Sequence, residues 1–207
     1  MERIDDIIKR LETLYPEAEC SLDYVDPLQL LISTQLAAQC TDARVNMVTP
    51  ALFARYPDAK AFAEADVHEL EELIKSTGFY HNKAKNIIAC CQRLCAVYDG
   101  QVPETMEELL SLAGVGRKTA NLVLGDAFGK PAVVVDTHCI RLSNRLGLTI
   151  QKEQEKIEKD LRAILPPDKS NDFCHRLVLH GRAVCNARKP KCDICTLSDL
   201  CPSKGKA

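Results

Sequence analysis

The stretch LAGVGRKTAN, Leu112 to Asn121, joins a Gly-x-Gly turn to the start of a helix, and VDTH, Val135 to His138, follows after a short apolar run. Gly114 and Gly116 can both adopt positive φ, and without side chains they let another backbone come close. The N–H groups at the helix start are unpaired, so they form a ready anion site. The nearest large anion that fits is a nucleic-acid phosphate, and Arg117 adds charge there. A Gly-x-Gly alone is weak evidence and favours a plain helix–turn–helix corner.

The lysine and the aspartate in these two stretches favour a chemical role. Lys118 lies in the first turn of the predicted helix, where the helix N-terminus and the neighbouring Arg117 disfavour the ammonium form. An unprotonated amine can attack a sugar C1′ carbon, displace a base and leave an iminium. Asp136, 18 positions after Lys118, can stabilise positive charge on the sugar ring and transfer protons. The plainer alternatives are a lysine that contacts phosphate and an aspartate that caps a helix over 137–146.

Four cysteines near the C-terminal end have the spacing of a metal centre. They follow the pattern C-x6-C-x2-C-x5-C and are Cys185, Cys192, Cys195 and Cys201. Zinc and iron–sulfur clusters both accept four thiolates, so this chemistry alone leaves both open. The loop between the first two cysteines carries Arg188, Lys189 and Lys191, which suit contact with phosphates or a solvated basic loop.

The other seven cysteines show no metal spacing, and we expect most of them to be small buried apolar residues. A disulfide framework is not expected, because the N-terminal segment MERIDDIIKR has no apolar core of a signal peptide. No long apolar run occurs elsewhere, so no membrane partner is expected. With no export signal, the abundance of thiols indicates a reducing compartment, the cytoplasm.

The charge distribution is more informative than the formal net charge of −2. Residues 1–26 carry eight acids and three bases, whereas residues 114–146 carry five bases and two acids, and residues 181–207 six bases and two acids. The basic segments are those that contain the hairpin and the cysteines. Nucleic-acid binding is therefore expected to be local and dependent on salt.

Apolar residues recur at helical spacing through nearly the whole chain, which predicts an all-α fold. An N-terminal helix is marked by Ile4, Ile7, Leu11 and Leu14. Thr41 is a plausible N-cap, and Thr105 with Glu108 forms a predicted capping box. The run Ala132–Val135 is too short for a sheet and is predicted to be a buried extended link. Further helices are predicted over 28–38, 41–53, 67–75, 83–98, 105–112, 115–128, 150–165 and 172–184.

These blocks resemble the endonuclease III family, bifunctional DNA glycosylases of the helix-hairpin-helix superfamily. The resemblance runs from about Leu28 to Cys201 and includes AAQCTDARVN (37–46), GFYHNKAKNI (78–87) and HGRAVC (180–185), in the family's order and spacing. It implies excision of oxidised pyrimidines from double-stranded DNA through a Schiff base on Lys118. Cleavage 3′ to the abasic site by β-elimination would follow, with Asp136 as the catalytic carboxylate. It also implies a 4Fe–4S cluster on the four cysteines and a monomeric protein.

The resemblance assigns DNA-contact roles to further residues. It implies that Gln39 inserts toward the orphaned base and that Phe79 wedges the opposite stack. His138 would contact phosphate or order the pocket, whereas a lone histidine equally suits a capping or packing role. The hairpin residues Gly114, Gly116 and Arg117 and the cysteine-loop residues Arg188, Lys189 and Lys191 would contact phosphates. Without the resemblance, Gln39 would be a surface residue at a helix end, and Phe79 would be an ordinary core residue.

The resemblance further implies two helical lobes with a DNA-binding cleft between them. One would be a helical barrel over 21–132 and the other a cluster domain over 1–20 and 133–207, so that Lys118 faces Asp136 across the cleft. Three positions depart from the family pattern: Ala113 replaces a proline, Phe79 a leucine, and Ala37 a small hydroxyl residue. Ala37 lies near the expected lesion pocket.

Two other functions compete with this interpretation. An adenine-mismatch glycosylase shares the fold and the cluster, but it would lack the lysine nucleophile and usually carries a further C-terminal domain. A non-catalytic DNA-binding module stapled by zinc or a cluster would keep the hairpin and the cysteines, but it would need neither Lys118 nor Asp136.

Overall fold

A computed structural model describes residues 2–206, and within them the regular structure is entirely helical, as the sequence predicts. None of the described helices is both long enough and apolar enough to cross a membrane. The α-helices of this range are α1 (Glu2–Leu14), α2 (Pro27–Leu36), α3 (Asp42–Arg55), α4 (Ala59–Ala63), α5 (Val67–Ile74), α6 (Tyr80–Tyr98), α7 (Met106–Leu110), α8 (Arg117–Leu122), α9 (Thr137–Arg145), α10 (Gln154–Ile164) and α11 (Ser170–Ala183).

The chain divides into two compact units, and the first is the continuous segment Cys20–Gly129. Its longest helix, α6, packs against α2, α4 and α5. The side chains of Ala84, Ile87, Cys91 and Leu94 are fully buried along one face of α6 at helical spacing. This unit carries Gln39, the hairpin and Lys118, as well as the turn before α6.

The second unit joins the N-terminal segment up to Glu19 to the segment from Lys130 onward. Within it, α1 packs on α11, and α9 packs on α11 as well. The Arg10 guanidinium on α1 donates to both carboxylate oxygens of Asp199, at 2.6 and 2.9 Å. Arg176 on α11 donates to the Tyr15 carbonyl oxygen at 3.1 Å. Two stretches far apart in sequence therefore complete one core.

Side-chain caps fix several helix starts, and two of them were predicted. The hydroxyl of Thr41 accepts the N–H of Arg44 at the start of α3, which confirms this N-cap. Thr105 accepts the N–H of Glu108 in the same way at α7. The Thr105 hydroxyl also donates to the Glu108 carboxylate at 2.6 Å, so the capping box closes through the side chains. Such caps contribute about 1 kcal/mol each.

Several predicted helix bounds differ from the structure, and the helix predicted over 150–165 begins only at Gln154. The helix that was predicted to begin at Lys83 already begins at Tyr80. The predicted helix 115–128 is an α-helix only over Arg117–Leu122 and continues as a π-helix over Val123–Ala127. The short helix α4 was not predicted, because its five residues are too few to show a period.

Among the seven cysteines without metal spacing, Cys90, Cys91, Cys139 and Cys174 are buried, as predicted for most of them. Burial raises the pKa of the Cys90 thiol to about 11. Burial likewise raises the pKa of the Cys91 thiol. Cys95 is exposed instead, although it lies on α6 four residues after Cys91.

We predict that alkylation with iodoacetamide at pH 8 separates these thiols. Only the thiolate reacts, so the exposed Cys95 should be modified rapidly, while the buried Cys90 and Cys91 with their raised pKa should stay unmodified. Trypsin cleaves after Arg93, so mass spectrometry reads Cys95 on a different peptide from the pair Cys90 and Cys91. Urea-denatured protein, in which all three should react, is the control. Equal rates for Cys91 and Cys95 in the folded protein would contradict the burial described here.

Candidate functional site

Only one of the two glycines in the Gly-x-Gly turn has neighbouring side chains packed closely against its backbone. Gly114 has φ +74°, and a Cβ there would lie 2.8 Å from Oε1 of Gln35 and 3.0 Å from Cβ of Asn86. Gly116 has φ −101° and is the N-cap of α8 in extended backbone. Both glycines can adopt positive φ, but only Gly114 does so, and at Gly116 the chain enters the helix directly. The turn is held against α2 and α6 because Gly114 has no side chain.

Lys118 is the second residue of α8, and its side chain is exposed. The structure therefore presents this amine directly after the hairpin, next to Arg117 at the first position of the helix. The Cys20 thiol lies within electrostatic reach: burial raises its pKa to about 12, the carboxylates of Asp126 and Asp42 add to this, and Lys118 opposes it. Cys20 is thus a neutral thiol near the amine, a neighbour that the sequence pattern gave no reason to expect.

Asp136 is the N-cap of α9. Its Oδ1 accepts the N–H of Cys139 at 2.7 Å, and the residue is half-buried. The capping alternative is therefore present in the structure, and it fixes where the carboxylate sits. Capping does not exclude chemistry, because a carboxylate has further acceptor positions after one hydrogen bond. Asp136 lies in the second unit, whereas Lys118 lies in the first.

His138 lies in the first turn of α9 and is held by groups from α9 and α11. Its Nδ1 is 3.1 Å from Nη2 of Arg141, and this guanidinium also donates to the Gly181 carbonyl oxygen at 3.2 Å. A Cβ on Gly181 would lie 2.5 Å from the same Nδ1. Burial lowers the pKa of His138, and Asp136 partly opposes this. The ring is therefore neutral at physiological pH and can offer one N–H donor.

Gln39 and Phe79 share a backbone feature that the sequence did not reveal. Within residues 2–206, positive φ at a residue other than glycine occurs at Gln39 (54°), Phe79 (50°) and Asp99 (52°). The side chain of Gln39 is exposed, and that of Phe79 is 63% exposed although it is aromatic. Left-handed backbone costs such residues about 1–2 kcal/mol, so it persists only where its surroundings enforce it. Phe79 is therefore not a core residue.

The four cysteines with metal spacing line one cavity. Cys185, Cys192, Cys195 and Cys201 share it with apolar side chains that include Leu142 and Leu197. Around a single zinc ion, Zn–S bonds of about 2.3 Å would place tetrahedral sulfurs only about 3.8 Å apart. Among the described residues, no group of three or more His, Cys, Asp or Glu side chains is arranged to hold one metal ion. Four thiols that line one cavity supply the ligand set that an iron–sulfur cluster takes.

Two arginines of α9 hold the loop that carries these cysteines. Arg145 donates to the carbonyl oxygens of Asn186 at 2.8 Å and Ala187 at 2.9 Å, and its Nη1 lies 3.3 Å from Sγ of Cys185. Arg141 donates to the Cys185 carbonyl oxygen at 3.1 Å. Neither residue was predicted from the sequence. The available signal was their spacing of four, which places two cations on one face of the helix that follows VDTH.

The basic side chains of the cysteine loop are exposed but differ in their contacts. Arg188 and Lys189 are exposed on the loop itself. Lys191 is also exposed, yet its Nζ donates to the Ala183 carbonyl oxygen at 3.1 Å. Ala183 is the last residue of α11, so Lys191 satisfies a carbonyl group at that helix end.

Comparisons with known proteins agree over nearly the whole chain. Residues 32–167 match the family of HhH-GPD superfamily base excision DNA repair proteins, and residues 185–201 match the iron-sulfur binding domain of endonuclease III. Endonuclease III of Synechocystis sp. is 57% identical over 203 residues, which cover 98% of this chain and 93% of that protein. Endonuclease III of Escherichia coli (strain K12) is 41% identical over 201 residues, with 97% and 95% covered.

A solved structure is similar over the same extent. It is a trapped endonuclease III–DNA covalent intermediate in an estranged-adenine complex. The TM-score is 0.94 at 41% sequence identity, and the match covers 99% of this chain and 97% of the other.

We predict that the two hairpin glycines respond differently to alanine. Gly114→Ala should lower the free energy of unfolding by about 2 kcal/mol or more, because it adds left-handed strain and a Cβ 2.8 Å from Gln35. Gly116→Ala is the matched control and should cost about 1 kcal/mol or less, since a Cβ there meets nothing within 4 Å. Chemical denaturation followed by circular dichroism measures both. Equal losses would contradict the close approach at Gly114.

Proposed function

The chain belongs to the endonuclease III family and is a DNA glycosylase and AP lyase of base excision repair, and from this premise we propose that Lys118 is its Schiff-base nucleophile and Asp136 its catalytic carboxylate. The observation that carries the proposal is the exposed position of Lys118 directly after the close hairpin turn at Gly114. The substrate is double-stranded DNA that carries an oxidised pyrimidine or an abasic site.

The reaction begins when the unprotonated Nζ of Lys118 attacks C1′ of the damaged nucleotide. The bond from C1′ to the base breaks, and the leaving base takes up a proton. Opening of the sugar ring gives an iminium between Nζ and C1′. Loss of a proton from C2′ then expels the 3′ phosphate by β-elimination, and water releases Lys118. Asp136 stabilises the positive charge that develops on the sugar and transfers protons in these steps.

A base within a duplex hides its C1′ bond, so this chemistry needs the nucleotide to be flipped out. We assign the insertion into the duplex to Gln39 and Phe79, which are exposed on left-handed backbone. An aromatic wedge such as Phe79 stacks well on the bases it separates. Phosphate contacts are assigned to the hairpin, to His138 and to the cysteine loop, through Gly114, Gly116, Arg117, Arg188, Lys189 and Lys191.

The four cysteines Cys185, Cys192, Cys195 and Cys201 hold the 4Fe–4S cluster of this family. When bound, the cluster supplies iron–thiolate bonds that fix the loop. Arg145 also fixes the loop, because its guanidinium donates to the backbone carbonyl oxygens of Asn186 and Ala187. The exposed Arg188 and Lys189 are thereby presented on a fixed backbone.

We assign the continuous unit to a helical barrel domain over 21–132 and the other unit to a cluster domain over 1–20 and 133–207. The family supports a monomer that acts in the cytoplasm, where the many free thiols of this chain stay reduced. The presence of Lys118 disfavours an adenine-mismatch glycosylase, because that activity needs no lysine nucleophile.

We predict that borohydride reduction traps the protein covalently on a duplex with one abasic site. Lys118→Ala should abolish the trapped band, since no other amine replaces the nucleophile. Lys85→Ala removes an exposed lysine of α6 and should trap like the unaltered protein. If the unaltered protein binds this duplex without trapping, the Schiff-base assignment is wrong, and a monofunctional glycosylase or a binding module takes its place.

We further predict that Asp136→Asn separates the two roles of this residue. An asparagine oxygen caps α9 as well as a carboxylate does, so the melting temperature should change little. The loss of charge should slow single-turnover excision of an oxidised pyrimidine by about 100-fold or more. Excision at the unaltered rate would leave Asp136 with a capping role alone.

A further inference from the structure

The side chain of Lys83 connects the two loops that carry Gln39 and Phe79. Its Nζ donates to the Leu36 carbonyl oxygen at 2.8 Å and to the Thr77 carbonyl oxygen at 2.8 Å. Both hydrogen bonds are buried, and Lys83 itself is only 6% exposed. Leu36 is the last residue of α2, three residues before Gln39, and Thr77 lies two residues before Phe79.

Lys83 also holds Phe79 through its backbone. The N–H of Lys83 donates to the Phe79 carbonyl oxygen at 3.1 Å, in the first turn of α6. Phe79 is the N-cap of this helix, yet no side-chain hydrogen bond caps it. One residue therefore binds the chain on both sides of the Gly78–Phe79 bend, through its ammonium before the bend and through its amide after it.

Burying a lysine to satisfy two carbonyl groups carries a free-energy cost, because the ammonium group loses its hydration. Burial opposes the charge and lowers the pKa of Lys83, although the neighbouring Cys40 partly offsets this. Lysine is rarely buried to this extent unless it is fully paired. The two carbonyls lie three and two residues before the left-handed residues Gln39 and Phe79, whose backbone must be enforced by its surroundings. A buried ammonium group therefore lies between the two segments that carry the exposed side chains of Gln39 and Phe79.

We propose that Lys83 is a positioning residue that couples the Gln39 loop to the Phe79 loop, so that both side chains enter the duplex as one unit. This inference rests on the proposed function, because it takes Gln39 and Phe79 as the inserting residues. Lys83 itself acts only through these two side chains, since its ammonium is buried and bonded within the protein. The coupling lies wholly within the unit Cys20–Gly129.

A double-mutant cycle tests the coupling. Single-turnover excision of thymine glycol from a duplex is measured for the unaltered protein, Gln39→Ala, Phe79→Ala and the double variant. If the loops act as one unit, the double variant should lose about 10-fold less activity than the product of the single effects. Repeating the cycle with Lys83→Met, which keeps the apolar stem, should reduce this coupling factor to about 1. Independent effects in the protein that retains Lys83 would overturn the proposal.

Controls separate positioning from general stability. Lys83→Met should slow excision from duplex DNA by about 10-fold or more. Borohydride trapping on a single-stranded abasic oligonucleotide should stay unchanged, because a single strand has no paired base stack into which Gln39 and Phe79 must insert. An equal loss in both assays would assign Lys83 a merely structural role and overturn the proposal. Lys83→Arg, which keeps the charge and the donors, should restore duplex excision in part. Lys85→Met, two positions further along α6 and exposed, should behave like the unaltered protein.

The design also separates this proposal from the proposed function. Failure of the unaltered protein to trap on abasic DNA refutes the Schiff-base assignment alone. The cycle is then measured as equilibrium affinity for the abasic duplex, which requires no turnover. If Lys83→Met does not fold, the first cycle can still overturn the proposal, because independent effects of Gln39→Ala and Phe79→Ala would leave no coupling for Lys83 to carry.

Discussion

Burial of one face of α6 is the constraint on which the continuous unit depends. The apolar stripe of this helix packs against three other helices, and Asn86 on the same helix closes the space beside Gly114. Lys83, one turn from the start of α6, holds the ends of two loops. The hairpin and both exposed insertion candidates therefore take their positions from one helix. Because protein interiors are close-packed, a shift of α6 would be transmitted to all of them.

The capping of α9 shows how one residue serves both folding and chemistry. Asp136 accepts the N–H of Cys139, and this bond anchors the carboxylate at the helix start. Two arginines further along α9 make contacts of their own: Arg141 contacts His138, and Arg145 donates to the backbone of the cysteine loop. The helix thus joins the carboxylate to the metal-binding segment within one rigid element.

Local patterns in the sequence predicted the all-α fold, the caps at Thr41 and Thr105, and the four cysteines that share a cavity. These features depend on residues close together in the chain. The π-helical continuation of α8 and the left-handed φ of Gln39 and Phe79 were not predictable, since neither leaves a local signature. The buried position of Lys83 and the grip of Arg145 on the cysteine loop also arise from distant contacts. A Gly-x-Gly motif also does not show which of its glycines takes positive φ, and the structure places it at Gly114.

The discontinuity of the second unit has a consequence for synthesis on the ribosome. Domains generally fold as units while the chain emerges from its N-terminus. The segment Cys20–Gly129 is complete as soon as Gly129 has left the exit tunnel, whereas α1 has been exposed since the beginning. Its partner helix α11 and the Asp199 carboxylate that pairs with Arg10 arrive last. The apolar face of α1, with Ile7 and Leu11, therefore stays exposed to solvent until α11 has been synthesised. Such an exposed apolar face is a binding site for chaperones.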